Sequence, residues 1–272
     1  MIAVLVIFFR EGLEASLVVS IILAYLHNIG RSDLTRRVWL GILAAMAVDM
    51  ALGVGLFRVI HHYDGSRVQT ILEGTTYFVA TAMLTGMSFW MKAQSRGIKV
   101  SLQQQVQLAI NRGTVWALVG LSFITVGREG LETVFFTLAV AFRTPIFSLA
   151  AGAVIGLGLA LAVDWLFFRT GRHIPLGLFF NVLGSALLVF AAALLADGIE
   201  DYQALGWLPI LTHVLWNTSR VLNENGLWGD ILHNFTGYAE TPTVLQLGAY
   251  VLYLAFGFWR YFRPKPPTVS AA

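Results

Sequence analysis

The sequence contains no cysteine, and only 12% of its 272 residues are charged. Without cysteine the chain can form neither disulfides nor thiolate metal sites, so any metal must bind oxygen or imidazole. The charged fraction is about half of that usual in soluble proteins. Hydrophobic residues make up 57% of the chain, and the mean hydropathy is +0.72. This composition predicts a membrane protein, because a single soluble core could not bury so much apolar surface.

The net charge of the chain is small and positive, +3 at neutral pH. We attribute it to basic loops that face an anionic membrane surface, and not to nucleic acid binding. The apolar N-terminus has no basic segment before it and no small-residue cleavage site after it. We therefore expect it to begin the first spanning helix, and not a removed signal peptide.

Seven apolar segments are long enough to cross a bilayer, which takes roughly 20 residues in a helix. They are Ile2–Leu26, Val38–Ile60, Thr70–Trp90, Thr114–Phe142, Ile146–Phe168, Leu176–Ala196 and Val244–Phe262. We expect an all-α, polytopic membrane protein with seven transmembrane helices. The Gln-rich residues 93–113 predict an amphipathic cytoplasmic linker. The longest region between segments, 197–243, is predicted to contain turns and a partial helix near Leu208–Asn223.

Arginine and lysine are unevenly distributed between the two sets of connections. Twelve of the 18 lie after the first, third and fifth segments or toward the C-terminus, four lie in the opposite loops or at their edges, and two, Arg10 and Arg128, lie deep within segments. The positive-inside rule therefore places the N-terminus outside the cell membrane and the C-terminal tail, residues 264–272, in the cytoplasm. Region 197–243 then faces outward, and it carries six acidic residues against one arginine.

A five-residue motif, Arg-Glu-Gly-Leu-Glu, occurs twice, as Arg10–Glu14 and Arg128–Glu132, 118 residues apart. The copies lie in the first and fourth segments, so they cross the membrane in opposite senses. This predicts an inverted repeat of three helices each, residues 1–92 and 114–196, followed by a seventh helix at 244–263. Asp49 and Asp164 are loosely equivalent in this alignment. Inverted repeats are typical of transporters, whose substrate sites lie near the midplane where the repeats meet.

Each motif places its charged residues on one sector of its helix. At about 100° per residue, Glu11 and Glu14 lie about 100° and 40° from Arg10. Two facing motifs would bring together four candidate ligands and two counter-charges: Glu11, Glu14, Glu129, Glu132, Arg10 and Arg128. Charges at bilayer depth cost about 2.5–3.5 kcal/mol each on insertion scales, so they need pairing or a ligand. One such turn could be a structural salt bridge, but two copies favour a site for a hard, multivalent cation.

The doubled motif resembles that of the oxidase-dependent iron transporter family, which includes fungal high-affinity iron permeases and bacterial EfeU-type permeases. Ser88–Lys92, the Gln-rich stretch after it and Phe179–Phe180 are similar to the bacterial branch, so the resemblance covers nearly the whole chain. It implies an iron permease of the cytoplasmic membrane, not an enzyme, with the four motif glutamates as ligands. Iron would be the substrate, as Fe(II) or Fe(III), and no organic cofactor is expected. The resemblance also implies an extracytoplasmic partner protein that binds or oxidises iron.

Further acidic residues could line an access path to the site. Asp197-Gly198-Ile199-Glu200 matches an Asp-x-x-Glu motif that fungal members carry outside, after the sixth helix, and Asp201 follows it. Glu73, near the outer end of the third segment, could extend this path or could be a first-turn carboxylate favoured by the helix dipole. Asp49, in the middle of the second segment, could line the pathway, relay a proton or bond a neighbouring hydroxyl.

The histidines give a weaker indication of a metal site than the carboxylates do. His213 and His233 lie in the outer region and could add imidazole ligands or sense pH. His61 and His62 are adjacent, so their side chains point in different directions on a helix and do not imply a shared metal.

Two other functions stay open at the level of sequence. Lead, manganese or another divalent cation would also suit oxygen ligands. The chain could instead be a membrane enzyme, such as an intramembrane ferroxidase or a hydrolase. It has no Glu-x-x-His, His-Glu-x-x-His or Gly-x-Ser-x-Gly motif, which disfavours that alternative.

Overall fold

The computed structural model describes residues 2–62, 65–94, 98–111, 115–142, 144–170, 176–224 and 226–263. These residues form nine α-helices: α1 Ile2–Asn28, α2 Thr35–His62, α3 Arg67–Gln94, α4 Ile98–Asn111, α5 Val115–Ala141, α6 Ile146–Thr170, α7 Leu176–Ala204, α8 Leu227–Thr236 and α9 Val244–Phe262. A short 3-10 helix, Ser32–Leu34, joins α1 to α2. Among the described residues, β pairing is limited to an isolated bridge between Val214 and Thr243. The all-α prediction is therefore confirmed.

Seven long helices, α1, α2, α3, α5, α6, α7 and α9, coincide with the seven predicted apolar segments, and α4 lies in the Gln-rich stretch. In the described part of the chain, three helical segments are long and apolar enough to cross a membrane by composition: Ser32–Val59, Ile146–Leu166 and Asn181–Ala204. α1 and α5, at 27 residues each, are similar in length to these three segments, but each carries three charged motif residues within its apolar run.

α7 continues past Ala196, where the sixth segment was predicted to end, and runs to Ala204. Asp197 and its acidic neighbours therefore lie on a helix and not in a loop. Packing on α3 explains the extension, because a Cβ at Gly198 would already lie 3.2 Å from the ring of Phe78. Tyr202 also meets the Phe78 ring edge-on. The chain leaves the helical conformation just before Gly206, which has a φ of 76°.

The predicted partial helix near Leu208–Asn223 is wrong. Most of this segment is irregular, and its backbone bonds to the chain just before α9, with Leu215 N–H donating to Pro242 O. Pro209 disfavours a helical conformation at the residue before it. The short helix of this region is α8 instead, and it ends at Gly237 in the left-handed conformation.

The long helices pack in pairs. α1 lies along α6, α2 along α5, and α3 along α7, while α1 and α5 also contact each other. α9 packs on α7, α4 contacts α1 and α5, and α8 contacts α7 and α1. The outward faces of these helices expose many large apolar side chains, among them Met50, Trp116, Phe147, Val154 and Leu252. Such an apolar surface fits contact with lipid and supports a membrane protein.

Two clusters of buried apolar side chains form the core. The first, which we call the upper cluster, joins α1, α3, α5, α6 and α7 and includes Ile7, Leu84, Phe136 and Leu187. The second, the lower cluster, joins α1, α2, α4 and α5 and includes Ile22, Ile42, Val106 and Leu118. Along α1 the upper cluster precedes the lower one, and along α5 the order is reversed. Both charged motifs therefore lie in a layer between the two clusters.

Candidate metal site

The first motif forms a compact buried ion-pair group on α1. Arg10 is only 1% exposed, and its Nε lies 3.0 Å from Glu14 Oε1. Its Nη1 donates to Glu11 Oε1 as well. Glu11 is 3% exposed and Glu14 10% exposed. One guanidinium therefore forms ion pairs with two carboxylates, which the helix angles allow because all three side chains share one sector.

The second motif has the same helical pair but a different arginine environment. Arg128 Nε donates to Glu132 Oε1 at 3.0 Å, which repeats the i,i+4 contact of Arg10 with Glu14. The Arg128 side chain is 45% exposed, however, and its guanidinium carbon lies 4.3 Å from the ring centre of Trp90 on α3. Glu129 and Glu132 are buried. The two copies of one motif are thus not equivalent in this conformation.

The two motif helices bring three carboxylates together. One oxygen from each of Glu11, Glu14 and Glu129 lies within 4.8 Å of the other two. The fourth glutamate, Glu132, is close enough to interact electrostatically with Glu14 and Arg10. Four carboxylates and two guanidinium groups carry a net formal charge of −2 when all are ionised. A buried, all-oxygen group of this charge is suited to a hard divalent or trivalent cation.

The glycine of each motif allows a neighbouring helix to approach closely. A Cβ at Gly12 would lie 3.0 Å from Ala160 on α6, and a Cβ at Gly130 would overlap the carboxylate of Asp49 on α2. Asp49 is buried, and it contacts α5 at Gly130, which is about 100° around that helix from Glu129 and about 160° from Glu132. Asp49 therefore touches the second motif from a different side than the one that carries the glutamates.

Asp49 and Asp164, which are loosely equivalent in the two halves of the chain, belong to a second repeated pattern. The segments Gly41–Asp49 and Gly156–Asp164 are both Gly-x-x-x-Ala-x-Ala-Val-Asp. A Cβ at Gly41 would meet the α5 backbone at Val119 O, and a Cβ at Gly156 would lie 2.6 Å from Leu5 O on α1. Asp164 accepts a hydrogen bond from Ser20 of α1 at 3.2 Å. A search at an offset of 115 residues would have found this pattern.

The predicted access residues lie apart from the carboxylate group along the chain and have partners of their own. Asp197 and Asp201 are buried, whereas Glu200 is exposed and accepts a hydrogen bond from Gln246 of α9. Glu73 Oε1 accepts from the hydroxyl of Tyr77, one turn along α3, at 2.8 Å. His233 is buried against α7, while His213 is exposed. The side chains of His61 and His62 lie outside the described residues.

Comparison with known proteins identifies the family. A family model described as the iron permease FTR1 family matches residues 1–261. The chain belongs to this family. The resemblance that the doubled motif carries is therefore confirmed, and so is the expectation of an iron permease.

Curated relatives cover almost the full chain. It is 34% identical to the ferrous iron permease EfeU of Yersinia pestis over 268 residues, which is 98% of this chain and 95% of that protein. It is 35% identical to the protein of the same name from Escherichia coli O157:H7 over 250 residues, 91% of this chain and 90% of the relative. No solved structure matches the chain.

Proposed function

We propose that this permease imports iron as Fe(II) through a site formed by the four motif glutamates, with the two motif arginines as counter-charges. The observation that carries the proposal is the convergence of Glu11, Glu14 and Glu129 from two helices into one buried group. Carboxylate oxygens are good ligands for hard and borderline divalent ions. The net charge of −2 matches one Fe(II) ion, and the relatives are named ferrous iron permeases.

In this proposal seven helices cross the cytoplasmic membrane, with the N-terminus outside and the C-terminus inside. The helix pairs support an inverted repeat. Exchanging α1, α2 and α3 with α5, α6 and α7 turns the pair α1–α6 into α5–α2 and maps α3–α7 onto itself. Gly41 and Gly156 occupy corresponding positions, and each allows close approach to the backbone of a motif helix. Close helix contacts at small residues are typical of membrane proteins.

The two apolar clusters suggest how access is controlled. The upper cluster lies toward the N-terminal end of α1, and the lower cluster lies toward its C-terminal end. In the proposed orientation these are the outer and the cytoplasmic sides. With both clusters packed, the carboxylate layer is closed on both sides. Transport would open one cluster at a time as the repeats rock against each other. Iron would displace Arg10 from Glu11 and Glu14, and the guanidinium would pair with them again when the ion leaves.

The outer end of α7, with Asp197 and Asp201, would receive the ion before it reaches this layer. An extracytoplasmic partner protein that binds or oxidises iron would deliver it there. Glu73, on α3, lies near this end because Gly74 packs against Tyr202 and Asp201. The acidic side chains would concentrate cations at the mouth of the path.

The proposal is tested by uptake of radiolabelled iron into proteoliposomes. Fe(II) kept reduced with ascorbate is compared with chelated Fe(III), and Mn(II) and Pb(II) are added as competitors. Glu14→Gln and Glu132→Gln should each lower Fe(II) uptake by more than about tenfold, because each removes a ligand charge. Asp33→Asn is the matched control, since Asp33 is exposed with 61% of its side chain accessible.

Normal Fe(II) uptake by both glutamine variants would overturn the assignment of the site. Faster uptake of Fe(III) than of Fe(II) would overturn the choice of oxidation state. Complete competition by equimolar Mn(II) would show that the permease does not select iron over manganese.

A further inference from the structure

His233 is a buried histidine on α8 whose ring lies between two carboxylates. Its side chain is 5% exposed. Nε2 lies 3.7 Å from Asp197 Oδ1 on α7, and Nδ1 lies 2.8 Å from Glu224 Oε1. The backbone carbonyl of Tyr238 lies 2.8 Å from the same Nδ1. The imidazole therefore has oxygen atoms on both of its nitrogen sides.

The neighbours of Nδ1 determine which ring nitrogen carries the proton. Both are oxygen acceptors, so Nδ1 is the donor, and in the neutral ring Nε2 has the lone pair. This lone pair faces the side of the ring where the Asp197 carboxylate lies. A separation of 3.7 Å is too long for a hydrogen bond. Two ligands that are each about 2.1 Å from one cation can have this separation.

Glu224 is itself held in place by Glu240. The backbone N–H of Glu240 donates to Glu224 Oε2 at 3.4 Å, and the backbone N–H of Glu224 donates to Glu240 Oε2 at 3.1 Å. In metal sites, a fixed carboxylate commonly accepts a hydrogen bond from the ring nitrogen of a histidine that does not bind the metal, and this contact orients the imidazole. The contacts behind His233 are therefore those expected of a ligand.

The position of α8 on α7 is fixed next to Asp197. Gly237 ends α8 with a φ of 70°, and a Cβ there would lie 2.8 Å from the Cα of Ala193, one turn before Asp197. Only glycine combines this conformation with this approach. The close contact therefore holds the His233 ring against the outer part of α7.

We propose that His233 and Asp197 form a second cation site at the outer end of α7, which binds a first-row divalent ion. Imidazole and carboxylate together suit Fe(II) and Mn(II). The site differs from the carboxylate layer by its nitrogen ligand. Its role as the first binding station for iron rests on the proposed function, whereas binding itself does not.

The nitrogen ligand allows the second site to be detected separately from the carboxylate layer. Full-length protein without a histidine tag is placed in nanodiscs and loaded with Mn(II), and pulsed EPR is used to detect modulation from an imidazole nitrogen. The variants are His233→Ala, the matched control His213→Ala, and a Glu14→Gln/Glu132→Gln double variant. We expect nitrogen modulation in the wild type, the control and the double variant, and its loss in His233→Ala.

Absence of nitrogen modulation in the wild type, or its persistence in His233→Ala, would overturn the second site. If His233→Ala does not fold, Asp197→Asn decides the matter, since it keeps the histidine and changes one ligand. We expect about tenfold weaker Mn(II) binding from this variant, and unchanged binding would overturn the proposal. The Glu14→Gln/Glu132→Gln double variant separates the two sites, because iron uptake and nitrogen modulation are measured on the same protein. Iron uptake reports on the carboxylate layer, and nitrogen modulation reports on His233.

Discussion

The guanidinium carbon of Arg128 lies 4.3 Å from the centre of the Trp90 ring, while its Nε donates to Glu132 of its own motif. Arg10, at the same position in the other motif, is buried and forms ion pairs with both glutamates of its motif. The aromatic ring on α3 therefore stabilises one arginine in an outward position. This asymmetry leaves Glu129 grouped with Glu11 and Glu14, where a cation could bind.

Replacing Trp90 with leucine should weaken iron binding. The ring contact is worth about 0.5–1 kcal/mol at a partly exposed site. Without it the Arg128 guanidinium should turn more often from the ring toward the group of Glu11, Glu14 and Glu129 and compete with the ion, which would raise the KM for Fe(II) uptake about twofold to fivefold. Trp39→Leu is the matched control, since Trp39 is exposed on α2. An unchanged KM for Trp90→Leu would contradict this role of the ring.

Replacing Gly130 with alanine should separate α2 from α5. The new Cβ would overlap the Asp49 carboxylate, and overpacking of this kind costs about 1–3 kcal/mol. Gly12→Ala should destabilise the protein less, because one of the atoms that the new Cβ would meet is the flexible end of the Leu157 side chain. Gly120→Ala is the control, with open space around its Cβ. Thermal unfolding in detergent measures all three.

The same experiment includes an internal test of the contact. Asp49→Ala removes the carboxylate, so the loss of thermal stability caused by Gly130→Ala should be smaller when both substitutions are combined. Equal losses with and without the Asp49 carboxylate would show that Gly130 is required for another reason.

Replacing Arg10 with glutamine should make the stability of the protein depend on metal. Removing one partner from a buried ion pair costs about 3–5 kcal/mol, because the carboxylates stay without their counter-charge. A divalent cation can take the place of the arginine, so Mn(II) should raise the Tm of Arg10→Gln more than that of the wild type. Arg31→Gln serves as the control, since Arg31 pairs with Asp33 at the surface. Equal shifts for all three proteins would contradict a cation site beside Arg10.

The absence of native cysteine makes the orientation simple to test. Thr212 and Ser32 are both exposed, and the positive-inside rule places them on opposite sides of the membrane. A membrane-impermeant maleimide applied to spheroplasts should label Thr212→Cys and leave Ser32→Cys unlabelled until the cells are broken. Labelling of Ser32→Cys in intact spheroplasts would reverse the proposed orientation.

Sequence patterns were sufficient for the long helices, because an apolar run of about 20 residues has few alternatives in lipid. They also identified Arg10–Glu14 and Arg128–Glu132 as the residues to consider, since charge inside an apolar run is costly. The extension of α7 to Ala204 was not predictable from a polar stretch, because it depends on packing of Gly198 against α3.

Contacts between distant residues were also beyond the reach of sequence. Trp90 and Arg128 are 38 residues apart, and no local pattern joins them. His233, Glu224 and Asp197 come together only because α8 folds back onto α7 at Gly237. A lone histidine in an irregular region gave no sign of such neighbours.

The charge of the carboxylate layer has a consequence for how membrane voltage would act on transport. A layer with a formal charge of −2 becomes neutral when it holds one divalent ion. Switching the loaded layer between outward and inward access then moves no net charge through the membrane field, whereas switching the empty, fully ionised layer moves two negative charges. An inside-negative potential of 100 mV acts on each charge with about 2.3 kcal/mol over the full membrane. Voltage would therefore drive the empty site back to the outside and so favour import.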